Sequence, residues 1–300
     1  MTELQRYLAE EVAEDHADGI ITRREALRRL GLLGVSAGVA VTLLGDAAGD
    51  AAAKRSDGRK RGDGQRGKAD DWAPLASAAI TFAGPRGQLM AAWAPATGKA
   101  RGAVLVIHEN RGLTDHIRNV AGRFAASGYS ALALDLLSEE GGTASFTDEA
   151  AVGAALGAAP PERFDADMKA AITELSRRAP GQEIAAVGFC FGGGMVWRLL
   201  AAGEQRLAAA APFYGPFPVG GDLSNARAAV LGVYAGLDDR VNATRDPARA
   251  ALEAAGLEYR ILTFIQASHA FFNDTGARFN APAAAEAWRR VLGWFGRHMD

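Results

Sequence analysis

The chain has 300 residues, of which 49% are hydrophobic and 23% charged, enough to bury one large core or two small ones. Its 33 Lys and Arg stand against 35 Asp and Glu, a net charge of −2 that gives no general basis for nucleic-acid binding. A single Cys rules out an internal disulfide and no Cys/His cluster has metal-ligand spacing, so neither a metal nor an organic cofactor is expected.

Residues 1–21 mix polar and apolar types, after which Thr22-Arg23-Arg24-Glu25-Ala26-Leu27-Arg28 leads into an uncharged stretch from Leu30 to Leu44 and a small-residue tract at Ala47–Ala53. Paired arginines, an apolar run and small residues, in that order, resemble a twin-arginine export signal over residues 1–53. The resemblance implies a chain that folds before it meets the twin-arginine translocation machinery. It also implies a periplasmic or extracellular location, with membrane anchoring if the signal is retained. The apolar run itself is short for a membrane span. An amphipathic cytosolic helix is the competing reading. From Gly45 to Asp71 the chain alternates Gly, Asp, Lys and Arg, so residues 54–71 are expected to form a disordered linker before a globular domain over 72–300.

Within that domain, apolar runs alternate with helical patterns. Ala78–Phe82 and Gln88–Ala94, joined through Gly84-Pro85-Arg86-Gly87, read as a strand pair. Ala103–Ile107, Ala131–Leu134, Ile184–Val187, Ala209–Phe213, Val230–Tyr234 and Tyr259–Phe264 lack alternation, as buried parallel strands do. His116–Ser127, Phe164–Arg178, Met195–Ala202, Asp246–Ala255 and Pro282–His298 carry apolar residues near a 3.6 spacing. The expectation is an α/β fold, one mostly parallel sheet with helices on both faces and no second domain. The Gly/Ser/Thr-rich stretch Ser138–Asp148 is read as a mobile flap.

The chemistry centres on Gly188-Phe189-Cys190-Phe191-Gly192-Gly193-Gly194, which follows an apolar strand and precedes a helix. This is the pattern of a nucleophile elbow, in which glycines two residues either side permit a sharp strand-to-helix turn. The helix N-terminus favours a thiolate on Cys190. Asp238 follows the strand ending at Tyr234 and His269 follows the strand ending at Phe264. Nucleophile, acid and base thus come in the chain order of the α/β-hydrolase triad. Asp239 is the alternative acid. His269 would stabilise the thiolate and return a proton to the leaving group, and Asp238 would fix the imidazole tautomer. His108 is read as structural or substrate-lining.

The elbow, Gly236-Leu237-Asp238, Ser268-His269-Ala270-Phe271 and Ile107-His108-Glu109-Asn110-Arg111-Gly112-Leu113 together resemble the dienelactone hydrolases, from about Ala78 to the carboxyl end. The resemblance implies that Glu109 helps to activate the cysteine, and that the backbone N–H groups of Phe191 and Asn110 form the oxyanion hole. It also implies two arginines for a substrate carboxylate, where this chain has Leu137-Ser138 and Asn273, so the dienelactone itself is not the expected substrate. Arg111 or Arg118 could substitute. Tyr214, Phe271 and Arg111 are candidate lining residues, and Phe189, Phe191 and Phe272 add to an apolar pocket.

The expected activity is hydrolysis of a small-molecule ester or lactone, carboxymethylenebutenolidase-like, through a thioester acyl-enzyme on Cys190. A thioesterase or other acyl hydrolase on the same site, and a non-catalytic thiol redox-sensing or binding module, are the competing readings. A monomer or small homo-oligomer is expected.

Overall fold

The computed structural model describes residues 1–56 and 73–299, so residues 57–71 of the expected linker lie outside the described residues. Eight strands, β1 (Ala78–Gly84), β2 (Gly87–Ala94), β3 (Gly102–Ile107), β4 (Tyr129–Asp135), β5 (Ile184–Phe189), β6 (Leu207–Phe213), β7 (Ala229–Ala235) and β8 (Tyr259–Phe264), form one sheet. Its order is β1-β2-β4-β3-β5-β6-β7-β8. The β1/β2 and β2/β4 pairs are antiparallel and the rest parallel. Every residue of β3, β4, β5 and β7 is buried, which is why these segments read as unbroken apolar runs.

Among the described residues ten α-helices accompany the sheet: α1 (Glu3–Ala17), α2 (Arg23–Leu32), α3 (Ala37–Ser56), α4 (Asp115–Ala126), α5 (Glu149–Ala158), α6 (Pro161–Arg178), α7 (Phe191–Ala201), α8 (Asp239–Asn242), α9 (Arg245–Ala254) and α10 (Ala281–His298). Phe124 of α4 packs on Trp288 and Phe295 of α10 with ring centroids 4.6 and 5.9 Å apart, which joins those two helices on one face. Phe164 of α6 meets Phe191 of α7 at 5.6 Å. Each fully buried ring of this kind contributes a few kcal/mol of burial free energy.

The amino-terminal region forms three helices, α1 to α3. Thr2 and Gln5 form a reciprocal capping box that starts α1. The helix then buries Leu4, Tyr7, Leu8, Glu11 and Ala13. The α1–α3 layer also packs on α5, where a Cβ on Gly157 would meet Leu33 Cδ2 at 2.9 Å and Leu8 Cδ1 at 3.3 Å. The expected linker, residues 54–71, opens inside α3, which continues to Ser56. Arg23 and Arg24 stand exposed in the first turn of α2. Among the described residues no helix is long and apolar enough to cross a membrane.

The Ser138–Asp148 stretch differs from the flap expected of it. Asp135 accepts from Thr143 N at 2.7 Å and from Thr143 Oγ1 at 2.8 Å, and Leu113 N donates to the same hydroxyl at 2.8 Å. Arg163 holds Glu140 and Arg86 pairs with Glu139 at 2.8 Å. A loop with this many anchors is part of the scaffold.

Candidate active site

The sheet register brings the reactive residues to one edge. Ile107 is opposite Gly188 and Phe189 opposite Phe213, so the chain leaves β3, β5 and β6 side by side. Ala235 is opposite Phe264, and Leu237 N donates to Ala267 O at 3.0 Å, tying the loops after β7 and β8 together. Those exits carry Glu109, Cys190, Tyr214, Asp238 and His269.

At the elbow Cys190 has φ 57° and ψ −120°, a backbone conformation that costs an L-residue of order 1–3 kcal/mol. Its N–H donates to Phe213 O at 3.1 Å. The glycine spacing is a steric requirement: a Cβ on Gly188 would meet Gly192 O at 2.1 Å, and one on Gly192 would meet Ile107 O at 2.4 Å. The backbone N–H groups of Phe191 and Asn110 both reach the Cys190 sulfur, so the two donors expected of an oxyanion hole converge on the apex.

Asp238 caps α8 through Val241 N, which donates to its Oδ1 at 3.1 Å, leaving Oδ2 to accept from His269 Nδ1 at 2.6 Å. Both side chains are 1% exposed. Asp239, the alternative acid, is instead the first residue of α8. Ala270, after the histidine, has φ 59° and Tyr214 has φ 34°, so three non-glycine residues with positive φ surround one centre. The Tyr214 ring lies 5.1 Å from the His269 ring.

Glu109 is buried and accepts from Asn273 Nδ2 at 2.6 Å. Asn273 enters the sequence reading as the place where an arginine is missing; its amide is the partner that holds this carboxylate. Arg111 is not brought to the centre; its guanidinium is 40% exposed and faces Glu149 at 3.8 Å. Phe271, a candidate lining residue, is fully buried between Tyr214 and Phe264, and Phe189, Phe213 and Phe272 stack as core beneath the elbow. His108 Nε2 accepts from Leu136 N at 3.1 Å and its Nδ1 donates to Glu109 O at 2.6 Å, a structural role that links β3 to β4.

Sequence reasoning missed two residues here, Tyr7 and Glu11 of α1. The Tyr7 hydroxyl is 3.3 Å from Cys190 Sγ, which donates to Glu11 Oε2 at 3.7 Å. Glu11 Oε1 is 3.3 Å from His269 Nε2 and pairs with Arg240, whose guanidinium lies 4.6 Å from the Tyr7 ring centroid. A signal was present: Leu4, Tyr7, Leu8 and Glu11 fall on one helical face, with a carboxylate inside an otherwise apolar stripe.

Burial, reinforced by the Glu109 carboxylate, pushes the Cys190 thiol up to about 12, opposed by hydrogen bonds from Tyr7, Phe191 and Asn110. Burial and the neighbouring Arg240 and Arg278 guanidinium groups push His269 down to about 3. Both shifts favour the neutral forms and oppose the thiolate that the helix N-terminus favours. Glu11, Cys190 and His269 place one ligand atom each within 4.8 Å of one another. That donor set suits zinc, but the Arg240 guanidinium already neutralises the carboxylate and opposes a second cation.

Residues 90–299 match the dienelactone hydrolase family. Proteins named "Putative carboxymethylenebutenolidase" are similar to this chain: that of Escherichia coli O157:H7 is 33% identical over 64% of this chain and 75% of its own. That of Salmonella typhi is 31% identical over 74% and 88%. In three dimensions, 74% of the chain superposes on all of the "Putative Dienelactone Hydrolase" of Klebsiella pneumoniae, with a TM-score of 0.64 and 27% identity. A Pyrobaculum calidifontis esterase shares the fold over 75% of this chain and 87% of its own, with a TM-score of 0.58 and 16% identity.

Proposed function

Because the chain belongs to the dienelactone hydrolase family and is a hydrolase of ester or lactone bonds, we propose that it works through Cys190, His269 and Asp238 by way of a thioester acyl-enzyme. The observation that carries this reading is the 2.6 Å Asp238–His269 contact, with the sulfur of a cysteine at a strained apex within 4.8 Å of a nitrogen of that histidine and beneath two converging amides. Asp238 fixes the proton on Nδ1, which leaves Nε2 as the basic nitrogen. On arrival of substrate the Sγ–H proton passes to a neighbouring base, His269 or Glu109, and sulfur attacks the acyl carbon. The oxyanion rests on the Phe191 and Asn110 amides, each worth ~3 kcal/mol in acyl transfer. Collapse expels the alkoxide, which takes the proton that left the sulfur; water deprotonated at Nε2 then cleaves the thioester, and the departing thiolate recovers that proton, giving acid and free thiol.

Asn273 supports a role for Glu109 in this cycle, since it fixes the carboxylate beside the thiol. The absence of arginine at Asn273 and near Ser138 favours esters or lactones other than the dienelactone. A location outside the cytoplasm, reached by the twin-arginine route, is supported by the exposed Arg23-Arg24 pair ahead of the uncharged run. The reading is tested by steady-state hydrolysis of short aryl esters and a lactone panel. Activity that disappears in Cys190→Ala is expected; an unchanged rate in that variant would contradict it.

A further inference from the structure

The α1 helix lies outside the 90–299 family match, yet it places polar groups against both Cys190 Sγ and His269 Nε2. Attack requires the acyl carbon about 3–3.5 Å from the sulfur. That space holds the Tyr7 hydroxyl at 3.3 Å and the Glu11 carboxylate at 3.7 Å, and Cys190 is 3% exposed. His269 Nε2, the nitrogen the reaction uses, faces Glu11 at 3.3 Å. The helix is fastened on both sides of these contacts. Arg240 grips Glu11, Arg278 pairs with Asp15 at 2.8 Å and Asp18 at 2.7 Å, and Val219 N donates to Glu3 at 3.0 Å. A cleft runs between the start of α1 and α7, lined by Leu4, Phe191, Met195 and Pro216, and Tyr7 forms part of its wall against the sulfur.

We propose that α1 is a built-in inhibitor of the catalytic centre, its Glu11 and Tyr7 occupying the place of the acyl group until the helix is displaced. The proposal rests on the reading of Cys190 as nucleophile. With α1 lifted, Sγ and Nε2 lose their competing partners and face each other, Arg240 is released, and the cleft opens onto the sulfur. The shifts of the thiol and imidazole towards their neutral forms agree with a closed resting state. The same segment carries the exposed Arg23-Arg24 pair, so a cut on the carboxyl side of α3 would remove plug and signal together.

The test uses the full chain and two variants that loosen α1 from different sides: Asp15→Ala/Asp18→Ala, which removes both Arg278 contacts while leaving Tyr7 and Glu11 in place, and Glu11→Arg, which sets two cations against each other. Alkylation of Cys190 by iodoacetamide and hydrolysis of an aryl acetate are followed, with thermal melting as the check on folding. At least a tenfold rise in alkylation rate and a parallel rise in hydrolysis are expected in both. An alkylation rate equal to that of the unmodified chain in a folded Asp15→Ala/Asp18→Ala variant overturns the proposal. So does faster alkylation with slower hydrolysis, which would make α1 part of the working centre. A thiol freed in both variants in a chain that hydrolyses no ester supports occlusion by α1 and instead refutes the hydrolytic role of Cys190.

Discussion

Cys190 sits between two regions of opposite character, the elbow that creates it and the α1 helix that covers it. The elbow is local: its bend is dictated by glycines at 188 and 192, whose missing Cβ atoms leave room for backbone at 2.1 and 2.4 Å. The cover is remote, reaching Cys190 from 179 and 183 residues away through Glu11 and Tyr7. Steric necessity fixes the first, whereas ion pairs and a buried helical face fix the second. A hydrolase can therefore keep its chemistry constant while adding a removable control on top of it.

Breaking the elbow side should have the largest effects. His269→Ala should lower kcat by about 10⁴-fold or more, because both proton transfers pass through Nε2; single-turnover kinetics on an aryl ester would measure it. Gly192→Ala should cost ~3 kcal/mol of stability or more, since its methyl would meet the Ile107 and His108 carbonyl oxygens at 2.4 and 2.5 Å; urea unfolding would register it.

The effect of pH follows from the same burial. The His269 pKa falls from 6.5 to about 3 in the folded chain, so between those values only the unfolded chain takes up the proton and stability declines as pH drops, by up to about 1.4 kcal/mol per pH unit. The Cys190 pKa rises from 9.0 to about 12, so its contribution is complete below 9 and is lost as pH climbs towards 12. Melting curves across pH should show both flanks, and Cys190→Ala should flatten the alkaline one. Asn273→Ala should be the mildest change, about tenfold in kcat with little change in KM, because it frees Glu109 without touching the triad; Asn273→Gln should recover part of the loss.

The two regions also differ in how far they can be read from residues alone. All eight strands are legible to within about two positions, because β3, β4, β5 and β7 are buried on both faces and must be apolar throughout. Cys190, Asp238 and His269 are legible because each follows a strand end, and the structure brings them together in that order. The α1 helix is not, since its stripe contains a charge whose counter-ion, Arg240, is 229 residues distant. Asn273 is legible only as a missing arginine; its purpose depends on Glu109, 164 residues away. The α5 helix escapes notice because its Ala- and Gly-rich sequence has little periodicity.

The account turns on sulfur as the nucleophile. The most direct measurement is intact-mass and peptide-mass analysis of the full chain acid-quenched during turnover of an aryl ester, beside the Asp15→Ala/Asp18→Ala variant. A hydroxylamine-labile acyl group on the Cys190 peptide, more abundant in the loosened variant, is the predicted result. An acyl group on another residue, or turnover that persists in Cys190→Ala, would contradict it.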